Sequence, residues 1–175
     1  MKRRSQEYLH AQDVVVAMKL AVLAEADWTY SSLAEALRLS PSQVHTSVGR
    51  LERCSLFSAP RRVVVTRSLL EFLTHGVRYV FPATVGTLGR GVATASSALP
   101  LSTLLPSWGE RFVWPSSADE EVGQSVTPLI PSVPEVAVAD AEFGALMALI
   151  DGIRLGKARE RAVAIDELSK RLTVS

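Results

Sequence analysis

The 175-residue chain holds one cysteine, Cys54, and three histidines, and nowhere runs to about 18 consecutive uncharged apolar residues. A lone thiol closes no intrachain disulfide and builds no zinc cluster, so Cys54 reads as a reduced, half-buried side chain and not as a nucleophile. The missing run excludes a membrane-spanning helix. The amino-terminal stretch MKRRSQEYLHAQD is basic, but it passes to Gln, Glu and His where a signal peptide needs an apolar core. A soluble, cytoplasmic protein without a membrane partner is the expectation. Large net charge is also missing, with 19 basic against 18 acidic side chains. What is present is apolar surface, 47% of the residues. A folded chain of this length buries roughly two thirds of its extended surface, so it holds a core without staples, and collagen-like or wholly disordered classes fall away.

The near-zero balance hides a division along the chain. Residues 1–67 carry ten basic and six acidic side chains, a net of +4, whereas 68–135 carry three and six and 136–175 carry six and six. Only the first segment has an electrostatic reason to approach a polyanion.

Apolar positions Val14, Met18, Ala21 and Val22 recur at helical spacing and predict a first helix over 13–26, with Asp13 as its N-cap. Ser31 or Ser32 caps a short second helix with Leu33, Ala34 and Leu37 inward, and a turn follows at Leu39 and Ser40. Pro41 suits the first turn of a third helix that has Ser40 as N-cap, Val44, Val48 and Leu51 inward, and an end near Cys54. Leu56, Phe57 and the run Arg61 to Thr66 read as two short strands around a Ser-Ala-Pro turn. A connecting helix over 68–81 stops at Pro82. Residues 82–135 hold seven of the nine prolines, which predicts an extended segment. Within it, 111–114 and 122–126 are candidates for a small hairpin. Trp108, Phe112 and Trp114 are expected to pack on the helical core or on a second subunit, with a ligand pocket as the lesser reading. Residues 136–175 read as a C-terminal helical pair broken near Gly156. The predicted fold class is mainly α with a small β wing.

The stretch SSLAEALRLSPSQVHTSVGRLERCSLF, residues 31–57, sets a short helix, a tight turn and a second helix end to end. It resembles the helix-turn-helix of winged-helix transcriptional regulators and is similar to MarR-type and related bacterial repressors, over about residues 12–67. The resemblance implies a DNA-binding domain over 1–67 whose third helix enters the major groove of double-stranded DNA. With Val44, Val48 and Leu51 inward, Ser42, Gln43, Thr46, Arg50 and Arg53 fall on or near the outer face, where such side chains read base edges or grip phosphates. His45 joins them or packs beside the second helix. Arg61, Arg62 and Arg67 fall in or beside the wing, and Lys2, Arg3 and Arg4 suit a basic arm, each alternatively an ordinary solvated charge. One such helix reads too few base pairs for a genomic address, so a homodimer is expected, with the last helix and the aromatic middle segment as its contact. The Pro-rich segment is a departure from MarR-type organisation. It opens a second reading, an antitoxin or adaptor whose residues 82–135 wrap a protein partner.

No enzyme, cofactor or metal is expected. Glu71 and His75, four residues apart, lack a third ligand. Gly86, Gly89 and Gly91 are followed by no Gly-Lys-Ser or Gly-Lys-Thr and read as a mobile or extended loop. Neither the histidines nor Cys54 pair into a triad or dyad motif.

Overall fold

A computed structural model describes residues 8–24, 26–105 and 110–173. The described residues are mainly helical with two small sheets. Helices α1 (Ala11–Leu23), α2 (Tyr30–Leu37) and α3 (Pro41–Arg53) come first, followed by a hairpin of β1 (Phe57–Ser58) and β2 (Val63–Val64). Then come α4 (Thr66–His75), α5 (Val77–Val80), β3 (Val85–Ala93), a 3-10 turn at Ala95–Ser97, α6 (Leu101–Leu104), β4 (Phe112–Pro115) and β5 (Glu121–Val126). Three helices close the chain: α7 (Val133–Ala139), α8 (Ala141–Leu155) and α9 (Ala158–Thr173). No described helix is long and apolar enough to cross a membrane.

Local chemistry sets the helix starts. Thr29, and not Ser31 or Ser32, caps α2: its Oγ1 accepts from the Ser32 N–H at 3.0 Å while the Thr29 N–H donates to Ser32 Oγ at 2.9 Å. Ser40 caps α3 as expected, with Pro41 in the first turn. The N-cap of α1 is His10. Asp13 sits one turn inside, accepting from the His10 N–H at 2.8 Å. Thr66 rather than Ser68 opens α4, and the expected single helix over 68–81 breaks at Gly76, where a Cβ would strike the Phe72 ring at 2.9 Å.

Helix α1 is the centre of the core. Val14 to Met18, Leu20 and Ala21 are all buried, so it is enclosed on every side and not one-faced as its spacing predicts. It packs on α3 on one side and on α8 on another. Helix α8 has the same character, burying Phe143, Leu146, Met147, Leu149, Ile150 and Ile153 as its pattern requires. Helix α9 lays Ala164, Leu168 and Leu172 against α8, α4 and α6, so the apolar face set aside for a second subunit is covered by its own chain. Pro134 lies in the first turn of α7, which makes the C-terminal part three helices and not a pair.

The middle segment is a folded sheet rather than an extended strap. The glycine-bearing run 85–93 is a strand, antiparallel to β5 along most of its length and to β4 at its end. Strands β4 and β5 run parallel to one another, with Phe112 opposite Gln124, and do not form the expected antiparallel hairpin. Each takes β3 as its antiparallel partner instead. Closure of three strands brings backbones unusually close. A Cβ on Gly91 would stand 1.8 Å from the Trp114 carbonyl oxygen, and one on Gly123 would stand 2.6 Å from that of Arg111. Trp114 is buried in the core and Phe112 is half-buried, while Trp108 lies outside the described residues.

A buried polar cluster ties this sheet to α8. Asp151 accepts from Trp114 Nε1 at 2.6 Å and Thr94 Oγ1 at 2.9 Å and pairs with Arg154 at 2.5 Å. Arg154 in turn donates to the Phe81 carbonyl at 2.8 Å. Burial pushes the Asp151 carboxyl above its ordinary range, against Arg154 and the two neutral donors, which hold the charged form. Helix α1 is fastened to the start of α8 by Lys19–Asp140 at 2.5 Å, and the end of α2 to α7 by Ser132 Oγ donating to the Leu37 carbonyl at 2.9 Å and by Arg38–Glu135.

Two outcomes follow. Gly91→Ala lowers unfolding free energy in denaturant titration by at least about 3 kcal/mol, because the obstacle is backbone. Gly89→Ala, where a Cβ meets nothing within 4 Å, stays within about 0.5 kcal/mol of the parent or slightly above it. Partial burial raises the Asp140 carboxyl, yet the Lys19 ammonium and the Phe143 and Glu142 N–H groups outweigh it and hold the group below its usual value. A depressed carboxylate stabilises the fold above its unfolded pKa of about 3.9 and loses that contribution as pH falls through the lower folded value. Lys19→Met is therefore less stable than the parent near pH 7, and urea titrations at a series of pH values show the gap closing below about pH 4.

Candidate nucleic-acid interface

Helix α3 is seated by Val44, Val48 and Leu51, all buried as the spacing requires. Ser47 and Arg50 are buried as well. The outer stripe is therefore Ser42, His45, Thr46, Gly49, Glu52 and Arg53, all exposed apart from the half-buried glycine.

Arg50 is the principal correction to the sequence reading. It is 4% exposed and forks onto the fully buried Asp13 of α1, Nε to Oδ2 and Nη2 to Oδ1, both at 2.7 Å. Ser47 Oγ stands 3.4 Å from the same Nη2 and also accepts from Gln12 Nε2 at 2.9 Å. The reason is helical phase: Arg50 is three residues beyond Ser47 and beside Leu51, on the flank that meets α1. Its charge is committed to Asp13, so it does not stand ready to fork onto guanine.

Gln43 is exposed, but its side chain completes the cap. Oε1 accepts from the Ser40 N–H at 2.9 Å, and Nε2 stands 3.4 Å from Gln12 Oε1. Thr46 Oγ1 donates back to the Ser42 carbonyl at 2.8 Å, which leaves its oxygen and methyl group outward. The His45 ring lies 5.0 Å from that of Tyr30, the first residue of α2, so it packs beside the second helix while keeping an exposed edge. Between the starts of α1 and α3 lies a cleft of about 300 Å³ lined by His10, Gln12, Ser42, Gln43, Thr46 and Arg50.

In the hairpin the two arginines part company. Arg61 is exposed at the turn. Arg62, in the left-handed region at φ 57°, donates through Nη2 to the Trp28 carbonyl at 2.7 Å and lies 4.2 Å over the Trp28 ring. Trp28 Nε1 donates back to the Arg62 carbonyl at 3.2 Å. With Tyr30 and Phe57 edge-on to the same ring, Trp28 is the pillar that holds the hairpin against the α1–α2 loop. Arg62 is thus a clamp although its side chain is exposed, and Arg53, Arg61 and Arg67 are the other exposed arginines between residues 50 and 67. Lys2, Arg3 and Arg4 lie outside the described residues.

Three residues that the sequence reading missed matter here: Asp13, Trp28 and Gly49. The helical phase linking Ser47 to Arg50 was a signal for the first, though nothing local names Asp13 as the partner. Gly49 breaks a rule of helix composition, since glycine in a helix interior costs about 1 kcal/mol relative to alanine. A Cβ there would meet only Arg53 Nη1, at an ordinary 3.6 Å.

Other chemistry is sparse. Among the described residues no three His, Cys, Asp or Glu side chains gather as a metal site. Glu71 and His75 line an open groove of about 690 Å³ with Leu70, Thr74 and the end of α9. Cys54 is half-buried at the C-cap of α3. No family model, curated protein or solved structure matches the chain.

Arg50→Ala leaves Asp13 buried without its partner. The expected loss, read from chemical unfolding, is about 3–5 kcal/mol. Arg53→Ala, on the exposed flank, changes stability by no more than about 0.5 kcal/mol.

Proposed function

We propose that the protein binds double-stranded DNA as a transcriptional regulator. In this reading α2, the turn at Arg38 to Ser40 and α3 form the helix-turn-helix, and the β1–β2 hairpin is its wing. The observation that carries the proposal is the outer stripe of α3. It is a capped helix held from behind by a buried ion pair, and its uncovered face offers Ser42, His45 and Thr46. Each is a residue type that meets base edges: a hydroxyl bonds donors or acceptors, an imidazole N–H suits guanine O6 or N7, and the threonine methyl suits thymine. The start of α3 adds only its positive dipole end, because Pro41 has no N–H and the Ser40 and Gln43 N–H groups are taken up by the capping box. Arg53 at the end of α3 and Arg61 on the hairpin put exposed positive charge on the two elements that this reading sets against DNA, while Arg67 at the start of α4 lines the groove with the end of α9. Binding to two half-sites by a pair of copies completes the proposal, because one α3 spans too few base pairs to specify a site.

The residues assigned to base reading are thus Ser42, His45 and Thr46, with Gln43 as a cap, Arg53 and Arg61 as backbone contacts, and Arg50 and Arg62 as supports. The wrapping alternative draws less from the structure, since Val92, Leu101, Leu105, Val113, Trp114 and Val126 of the middle segment are spent on the protein's own core.

Selection of bound sequences from a random duplex library tests the reading. The full chain is expected to enrich a two-fold symmetric sequence, and His45→Ala and Thr46→Ala to relax single positions by about 1–3 kcal/mol each without loss of fold. Two arginine–phosphate contacts, from Arg53 and Arg61, give log affinity against log salt a slope of about −2 per bound copy, and a steeper value requires further cations such as Lys2, Arg3 and Arg4. No enrichment, or binding indifferent to salt, overturns the proposal.

A further inference from the structure

The described helices contain three interior glycines, and two have an internal cause. A Cβ on Gly144 of α8 would strike the Ala137 carbonyl oxygen at 2.9 Å, and one on Gly152 would strike Leu101 at 2.5 Å and Ala164 at 3.1 Å. Both let neighbouring elements close on α8. Gly49 is different, because among the described residues no neighbour approaches a Cβ there closer than ordinary contact. Its helix is well capped and ends without it, so no turn or kink needs glycine either. Folding alone is better served by alanine at this position.

Gly49 lies in the middle of the outer stripe, three and four residues from Thr46 and His45 and four from Arg53. We propose that Gly49 is the point of closest approach between α3 and duplex DNA, where base edges on the floor of the major groove pack against bare helix backbone. This rests on the reading of α3 as the DNA-contacting helix. The occupant is chosen by the character of the stripe, which offers hydroxyl and imidazole groups with Glu52 and Arg53 at its end and no large apolar side chain. A protein partner's apolar surface would find nothing to pack on there. Dimensions give the glycine its purpose. A helix with its side chains is about 10–12 Å across and the groove about 12 Å wide, so the fit is tight. Removing the side chain at the centre of the inserted face lets the axis sink until Ser42, His45 and Thr46 reach base edges. Gly49 is thus a positioning residue, set against stability.

The test pairs thermal unfolding with DNA binding on the full chain, using the duplex enriched from the random library as probe. Gly49→Ala is expected to melt about 2–4 °C higher than the parent and to bind at least tenfold more weakly. Gly49→Leu, also a good helix former, is expected to keep the fold and lose binding. Gly89→Ala, on the distant strand β3, keeps both properties. Variants that melt higher yet bind the probe as the parent does would overturn the role of Gly49 and leave DNA binding in place. A lower melting temperature for Gly49→Ala would mean that the fold itself needs the glycine, and the proposal falls. If the parent enriches no duplex, the DNA reading and this inference fall together.

Discussion

The Asp13–Arg50 ion pair fixes which side of α3 faces outward. Apolar contacts from Val44, Val48 and Leu51 favour burial of one flank but have no direction of their own, and a helix seated on three aliphatic side chains can roll by tens of degrees at small cost. A guanidinium forked onto a carboxylate with both contacts at 2.7 Å cannot. Desolvating both groups is expensive, so the pair contributes little net stability over a hydrophobic substitute of the same volume. Its contribution is orientation. Asp13 also holds the first turn of α1 through the His10 N–H, so one carboxylate sets the start of α1 and the roll of α3 together.

Because α1 is enclosed, that orientation is passed to the rest of the molecule. One flank of α1 takes α3 and another takes α8, while Lys19 and Arg38 reach Asp140 at the C-cap of α7 and Glu135 in its first turn. The C-terminal helices are thus part of the support for α3, and the sheet joins them through Trp114, Thr94 and Asp151. The Arg62–Trp28 clamp sets the hairpin by the same logic: each residue donates to the other's carbonyl and the cation lies on the ring. Two arginines of the type that contacts DNA in other settings are here used to hold the elements that carry the exposed ones.

The sequence was most legible where structure is set by near neighbours. Ser40, Pro41 and the four- and three-residue spacing of Val44, Val48 and Leu51 mark α3 to within a residue, because capping and helical period are local properties. Legibility failed where a distant partner decides. The partner strand β3 carries three glycines in nine residues and hides its strand character, so β4 and β5 read as a hairpin although they run parallel to one another and each takes its antiparallel partner in β3. The closeness of the strands is what the glycines permit, and no pattern within β4 or β5 records it. Helix α1 was recognised as a helix, but its enclosure depends on α8, more than a hundred residues away. At the candidate interface, type was mistaken for position. Arginine and glutamine are groove-reading residues in general, yet Arg50 faces Asp13 and Gln43 closes the cap of its own helix.

Those displacements alter the kind of recognition the face can perform. Of the basic side chains in the first 67 residues, Lys19 and Arg50 are held in buried or half-buried pairs, Arg38 meets Glu135, and Arg62 lies on Trp28. Among the described residues the remaining exposed arginines of this stretch are Arg53, Arg61 and Arg67, with Glu52 beside Arg53 to offset part of its charge. Non-specific attraction to a polyanion scales with the number of phosphates neutralised, so a face with few exposed cations gains little from the backbone alone. What it has in their place is short side chains, two hydroxyls and one imidazole, on a helix whose roll is fixed by a rigid pair and whose middle is bare backbone. Short side chains act only at close range and lose little rotamer entropy when they do. In the proposed reading their use demands a helix that can come near and is already correctly turned, which are the parts given to Gly49 and to the Asp13–Arg50 pair.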